Sequence, residues 1–154
     1  MLTPDDFEYR GRSLRKSELA ALEKKLGLRL PDDYRTFLLT INGGRPRTHE
    51  VFDIGKKDSS LINMLYSAKR DDHQELTIYK QHLALEGRIP KDLLPIGEDQ
   101  GSSQICLGIG EKNHGQVFFW DMEDEREQPT YKNVRRIAGS FTEFLDSLYS
   151  DEDE

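Results

Sequence analysis

Apolar and polar positions are patterned most clearly over residues 93–123, LLPIGEDQGSSQICLGIGEKNHGQVFFWDME, which hold the two best strand signals of the chain. Over 104–109, Ile105, Leu107 and Ile109 alternate with Gln104, Cys106 and Gly108, the period-two pattern of a strand. Over 116–121 both faces are apolar, Val117 and Phe119 against Phe118 and Trp120. Such a strand has to be covered on both sides, so it belongs in the middle of a sheet with 104–109 beside it. The polar stretch between them, bounded by Gly110 and Gly115, suits a hairpin loop. Residues 93–97 read as a short strand that Pro95 confines to an edge or to a strand start.

Helical periodicity appears in four places. Residues 13–26 place Leu19, Leu22 and Leu26 on one stripe, with Ser13 or Ser17 to cap the start and Gly27 to end it. Residues 31–42 open on Pro31, Asp32 and Asp33, which suit a helix N-terminus, and carry Tyr34, Phe37, Leu38 and Ile41 at helical spacing. Asn42, Gly43 and Gly44 then stop that helix. Residues 71–85 are read as a third helix with Leu76, Tyr79 and Leu83 buried, and 140–148 as a fourth, with Ser140 and Glu143 as a capping box. Short strands are expected at 51–54, 61–66 and 133–138, and an acidic loop at 121–129. Residues 1–12 read as a loosely held arm, 13–149 as one domain, and 150–154 as a short acidic tail. The fold class is therefore α+β, a single domain with a mainly antiparallel sheet flanked by helices.

Composition narrows the function classes. The 154 residues suit one domain with an ordinary core. Hydrophobic residues make up 35% and charged residues 33%, and the formal charge is −7, with a pI near 5.2. That balance argues against direct nucleic-acid binding, which needs a basic surface, and favours a basic protein partner. No apolar run reaches membrane-spanning length, and MLTPDDFEYR lacks the pattern of a signal peptide. With the lone Cys106 excluding an internal disulfide, a cytoplasmic protein is expected.

No catalytic, cofactor-binding or metal-ligating set emerges. Cys106 lies in a strand read as buried, where a thiol is a small hydrophobe and not a nucleophile. His49, His73, His82 and His114 fall in four separate segments without ligand spacing. Gly108, Gly110 and Gly115 precede a strand instead of the helix a phosphate loop requires. The acidic run from Asp121 lacks the alternating ligands and central glycine of a calcium loop. No enzymatic activity and no cofactor are expected.

Four blocks in order carry a family resemblance: LPDDYRTFLLTINGGRP (30–46), DLLPIGEDQGSSQICLGI (92–109), GQVFFWDME (115–123) and IAGSFTEFLDSL (137–148). Together they resemble the SUKH superfamily, the domain shared by a yeast cell-wall-synthesis regulator and many bacterial proteins. At Gly101, Ser102 and Ser103 the chain departs from the family, which often shows a second glycine there. The resemblance implies an α+β domain with an antiparallel sheet. In bacteria it most often implies an immunity protein that neutralises a secreted toxin, frequently a nuclease or deaminase. A regulatory scaffold of the yeast type is the alternative, and an enzyme with an unrecognised site is the third reading.

Acidic surface is the remaining hint. Glu98 and Asp99 precede one strand of the hairpin, while Asp121, Glu123, Asp124 and Glu125 follow its partner. In an antiparallel pair these clusters fall at the same end of the sheet. The blander reading is a solvated loop surface. The sharper one is a docking surface for a toxin with a basic active face, with Tyr131 or Phe52 as aromatic anchors.

Overall fold

The computed structural model describes residues 2–151. Among these residues nine strands run Phe7–Glu8 (β1), Arg45–Pro46 (β2), His49–Ile54 (β3), Asp58–Leu65 (β4), Leu93–Asp99 (β5), Gln104–Gly108 (β6), Val117–Trp120 (β7), Val134–Ala138 (β8) and Tyr149–Ser150 (β9). The helices are Lys16–Leu26 (α1), Asp32–Thr40 (α2), Ile78–Ala84 (α3) and Phe141–Ser147 (α4). Seven strands form one sheet in the order β8-β7-β6-β5-β4-β3-β9, every neighbouring pair antiparallel. The sheet curls enough to bring β3 near β8. This is the α+β architecture the sequence pattern implied.

The larger core lies on one face of the sheet. Leu19 and Leu22 of α1, Tyr34, Phe37 and Leu38 of α2, and Phe141 and Phe144 of α4 pack there on Phe52, Ile96, Ile105, Leu107 and Phe119. The opposite face has its own cluster, in which Leu93, Cys106, Phe118 and Trp120 are covered by Leu85 and Ile89. Trp120 is 1% exposed. A strand with two apolar faces needed two covers, and both are present.

Strand β5 differs from expectation. It lies at the centre of the sheet, between β4 and β6, and not at an edge. Pro95 is tolerated there because the β5–β6 ladder is irregular between Pro95 and Gly97, so its missing N–H falls at a bulge. Gly97 is needed beside it, since a Cβ there would stand 2.9 Å from Met64 O.

The third helix is shorter than the periodicity suggested. Gln74–Leu76 form a 3-10 turn and α3 begins only at Ile78. Between them Thr77 is extended and forms a bridge with Ser67, with Ile78 N–H donating to Ser67 O at 2.9 Å. That tertiary pairing interrupts the helix and rotates its buried face: Ile78 is fully buried, whereas Leu83 is 46% exposed.

The other helix boundaries have local causes. Helix α1 starts after Arg15, with neither Ser13 nor Ser17 as its cap, because Glu18 reaches back to accept Arg15 N–H at 3.0 Å. After α2, Asn42 takes φ 64° and its side chain fastens two remote segments. Its amide donates to Arg12 O (2.7 Å) and Lys69 O (3.1 Å), and its Oδ1 accepts Ala68 N–H at 2.8 Å. Asn42 is a terminator by backbone and a clasp by side chain.

The first and last described segments are tied in. The N-terminal segment is no loose arm: β1 pairs with β2, and Phe7, 2% exposed, meets the Phe37 ring edge-on at 5.8 Å. Burying an aromatic side chain outweighs the polar character of its neighbours. Of the acidic tail, Ser150 belongs to β9 and pairs with His49, while residues 152–154 lie outside the described residues.

Candidate functional site

The strand register sets the site. Glu98 lies opposite Gln104, Gln104 opposite Trp120 and Trp120 opposite Val134, so these four form one row across β5 to β8. Just beyond that row the chain leaves all four strands at the same end of the sheet, as antiparallel pairing requires. There Asp121 N–H donates to Asn133 O at 2.9 Å, and Met122 N–H donates to Ser103 Oγ at 2.9 Å. The β3–β4 turn closes on this end because the sheet curls: a Cβ at Gly55 would stand 3.0 Å from the Arg135 guanidinium.

These loops surround a cleft of about 400 Å³. Its lining includes Asp58, Asp99, Asp121, Glu123 and Asp124, with Lys132 and Arg135 as the basic members and Ile54 and Phe119 as the apolar ones. Five acids against two bases leave this end of the sheet negative.

The six carboxylates singled out from the sequence divide by environment. Asp121, Glu123 and Asp124 line the cleft around a 3-10 turn, Met122–Asp124, which Asp121 caps by accepting Glu123 N–H at 3.0 Å. Asp99 also lines it but is 7% exposed and committed internally. Its Oδ1 accepts from Gly101 N–H and Ser103 N–H, each at 2.9 Å, and its Oδ2 from the Ser60 hydroxyl at 2.8 Å. Glu98 lies outside the lining. It accepts from Asn63 Nδ2 at 3.2 Å, and burial raises its carboxyl above the ordinary glutamate range. Glu125 is also outside the lining and is held by Arg88 through two bonds of 2.9 and 2.8 Å, which lower its pKa.

The two aromatic residues proposed as anchors also separate. Phe52 is 1% exposed and packs in the core against Phe119 and Phe144, so it is closed to any partner. Strand alternation turns it inward. Tyr131 is 46% exposed, with its hydroxyl bonded to Asp92. Sequence reasoning missed Asp58, Lys132, Asn133 and Arg135. Asp58 opens β4, beside the turn that the curl of the sheet brings to the acidic loops, whereas Lys132, Asn133 and Arg135 lie around the start of β8, which its pairing with β7 places there.

The remaining reactive groups are dispersed. Cys106 is fully buried, and burial pushes its thiol pKa up, away from the thiolate a nucleophile needs. Among the described residues no three His, Cys, Asp or Glu side chains are placed to hold a metal ion. Among those residues, too, no helix is long and apolar enough to cross a membrane.

The fold and its cleft define an α+β domain built on one curled antiparallel sheet, with an acidic cleft at one sheet end. The chain belongs to the SMI1 / KNR4 family (SUKH-1), whose model matches residues 13–147. It is 29% identical over 147 residues to YokK, an SPbeta prophage-derived uncharacterized protein of Bacillus subtilis (strain 168), a match covering 85% of this chain and 72% of that protein. A crystal structure of a protein from Pseudomonas syringae pv. tomato has a similar fold, with a TM-score of 0.50 at 18% identity over 80% of this chain and 84% of that one.

Proposed function

We propose that this protein is a non-enzymatic, cytoplasmic binding module: an immunity protein that neutralises a cognate secreted bacterial toxin by covering its active face. The observation that carries the reading is the acidic cleft at one end of the sheet, in a chain of the SUKH-1 family, which includes toxin immunity proteins. Toxin domains that act on nucleic acid, such as nucleases and nucleic-acid deaminases, need Lys and Arg to meet phosphates. An acidic end of a protein with net charge −7 complements that face. Inhibition then follows from stoichiometric occlusion and needs no chemistry from this chain.

The test is to express candidate toxin domains from the genes neighbouring this one, purify them and mix each with the protein. A one-to-one complex with loss of the toxin's nuclease or deaminase activity is the expected result. A complex in which the partner stays fully active would replace immunity with a scaffold role. Absence of any complex would overturn the reading.

A further inference from the structure

Charge changes sign on the helical side of the molecule. A groove of about 340 Å³ lies between α1 and α3, floored by the segment that follows β4. Its lining carries Lys25, Lys69, Arg70 and Lys80 against one acid, Glu18. That acid is already answered, since it accepts from Arg15 N–H and Arg12 and pairs with Lys69. In a chain of net charge −7, such a surplus of base in one concavity reverses the overall balance.

These bases are also left uncancelled. The Lys25 ammonium stands over the Tyr79 ring, 5.2 Å from its centroid, and meets no carboxylate among the described residues. A ring holds a cation in position while leaving its charge whole. Lys80 makes no hydrogen bond or ion pair among those residues. The Arg70 side chain is 4% exposed and donates to two neutral acceptors, Tyr9 O at 2.7 Å and Ser67 Oγ at 3.1 Å. Its one carboxylate partner among the described residues is Asp72, 3.4 Å away and 74% exposed. A buried cation is normally matched by a closer counter-charge than that. The frame is fixed too: Asn42 clasps Ala68 and Lys69 of the floor, and the Ser67–Thr77 bridge pins the start of α3.

We propose that this groove binds a small organic phosphate, its phosphoryl group among the Lys25, Lys69 and Lys80 ammonium groups and its apolar body on Ala21, Leu22 and Ala68. Arg70 acts from the wall through its field and makes no direct bond. Lys69 can serve both Glu18 and the ligand, because an ammonium carries three donors. Ammonium groups are point charges that suit the oxygens of a phosphate, whereas a carboxylate is met best by the arginine fork. A phosphomonoester brings about −1.5 to −2 charges at pH 7, enough to answer the surplus. The bases ring one concavity of ligand size instead of running along a face, which favours a compact anion over an extended acidic chain. The groove shares no lining residue with the acidic cleft, so this assignment stands apart from the immunity reading.

The test titrates the whole chain with phenyl phosphate at low ionic strength, followed by NMR of isotopically labelled protein. The expected result is a saturable, one-to-one shift of the Lys25, Lys69 and Lys80 backbone amides. Phenyl sulfate, with the same ring and less charge, should bind severalfold more weakly, and so should inorganic phosphate, which lacks the body. Phenol should bind at least about tenfold more weakly.

Lys25→Gln and Lys80→Gln should each weaken phenyl phosphate binding severalfold. Lys24→Gln, which removes an exposed lysine of α1 outside the lining, should leave it unchanged. Thermal unfolding verifies that the variants are folded, and Lys80→Gln breaks no internal bond, so it stays decisive on its own. Shifts that remain linear with concentration, equal binding of phenyl sulfate, or equal losses in Lys24→Gln and Lys80→Gln would each overturn the proposal. A phosphotyrosine peptide binding more than about tenfold tighter than phenyl phosphate would overturn the small-ligand assignment in favour of a protein-borne phosphate.

Discussion

Asp99 at the end of β5 is bonded to Ser60 of β4, the Ser60 hydroxyl donating to Asp99 Oδ2 at 2.8 Å while Oδ1 holds the turn that leads into β6. The carboxylate is therefore part of the frame of the cleft and not free charge on its rim. Asp99→Ala leaves two backbone N–H groups and one hydroxyl without an acceptor, so it should cost about 2–4 kcal/mol. Asp99→Asn keeps the Oδ1 acceptor and should cost less. Urea unfolding of both variants measures the difference. An alanine variant within about 0.5 kcal/mol of wild type would contradict the role, since that is the range of an inert surface change.

The tryptophan of β7 should matter most to stability. Trp120 is 1% exposed within the second cluster, beneath the Arg88 guanidinium 5.8 Å from its ring. Trp120→Ala should cost about 3–5 kcal/mol, because the side chain is large and the sheet cannot collapse into the space. Equilibrium denaturation is the measurement. A loss below about 1 kcal/mol would mean that the outer face is not closed as described.

Ser102 sits in the left-handed region at φ 67°. A side chain there is strained and glycine is not, although glycine also loosens the unfolded chain. Relief of the strain outweighs that loosening. Ser102→Gly should raise stability by about 0.5–1 kcal/mol, read as a higher melting temperature. A lower melting temperature would show that the serine side chain gives more than its backbone costs.

Glu18 gives the protein an acid-sensitive corner. Its carboxylate accepts Arg15 N–H and Arg12 Nη2 and pairs with Lys69, which together lower its pKa from 4.5 to about 2. The unfolded chain binds this proton first, so the contribution is complete above pH 4.5 and disappears as pH falls through about 2. Glu18→Gln should melt below wild type at neutral pH, and the gap should close over that window. A gap that stays constant with pH would assign the effect to packing instead of charge.

Charge at the cleft should control capture of a toxin more than its retention. Replacing Asp121, Glu123 and Asp124 by their amides should slow association severalfold and flatten its salt dependence, because exposed charges act within about 8 Å at physiological salt. Glu98→Gln with Glu125→Gln should do less, since those carboxylates lie outside the cleft lining and are held by Asn63 and Arg88. Stopped-flow association against ionic strength compares the two sets. Identical curves for wild type and the triple variant would reduce this end to a solvated surface.

Local chemistry in the sequence determined the α+β class, the β6–β7 pair, the glycine stop after α1, and the aspartate-rich start and Asn42 terminator of α2. Each is a short-range effect of side-chain periodicity or of one residue's backbone preference. Antiparallel geometry carried the prediction one step further, placing Asp99 and Asp121 at the same sheet end, because strand direction alone fixes that relation.

What the tertiary structure decided is everything that depends on a distant partner. The Ser67–Thr77 bridge, and not periodicity, set where α3 starts and turned Leu83 outward. A ladder irregularity let Pro95 stand in the central strand. Pairing with β2 buried Phe7 in a segment of polar composition. Carboxylates equivalent in the sequence became different in kind: Asp99 a buried acceptor of three bonds, Glu125 one half of an ion pair, Glu123 an open charge on the cleft. Charge is written in the residue, but its availability is set by which donors the curled sheet brings within hydrogen-bonding distance.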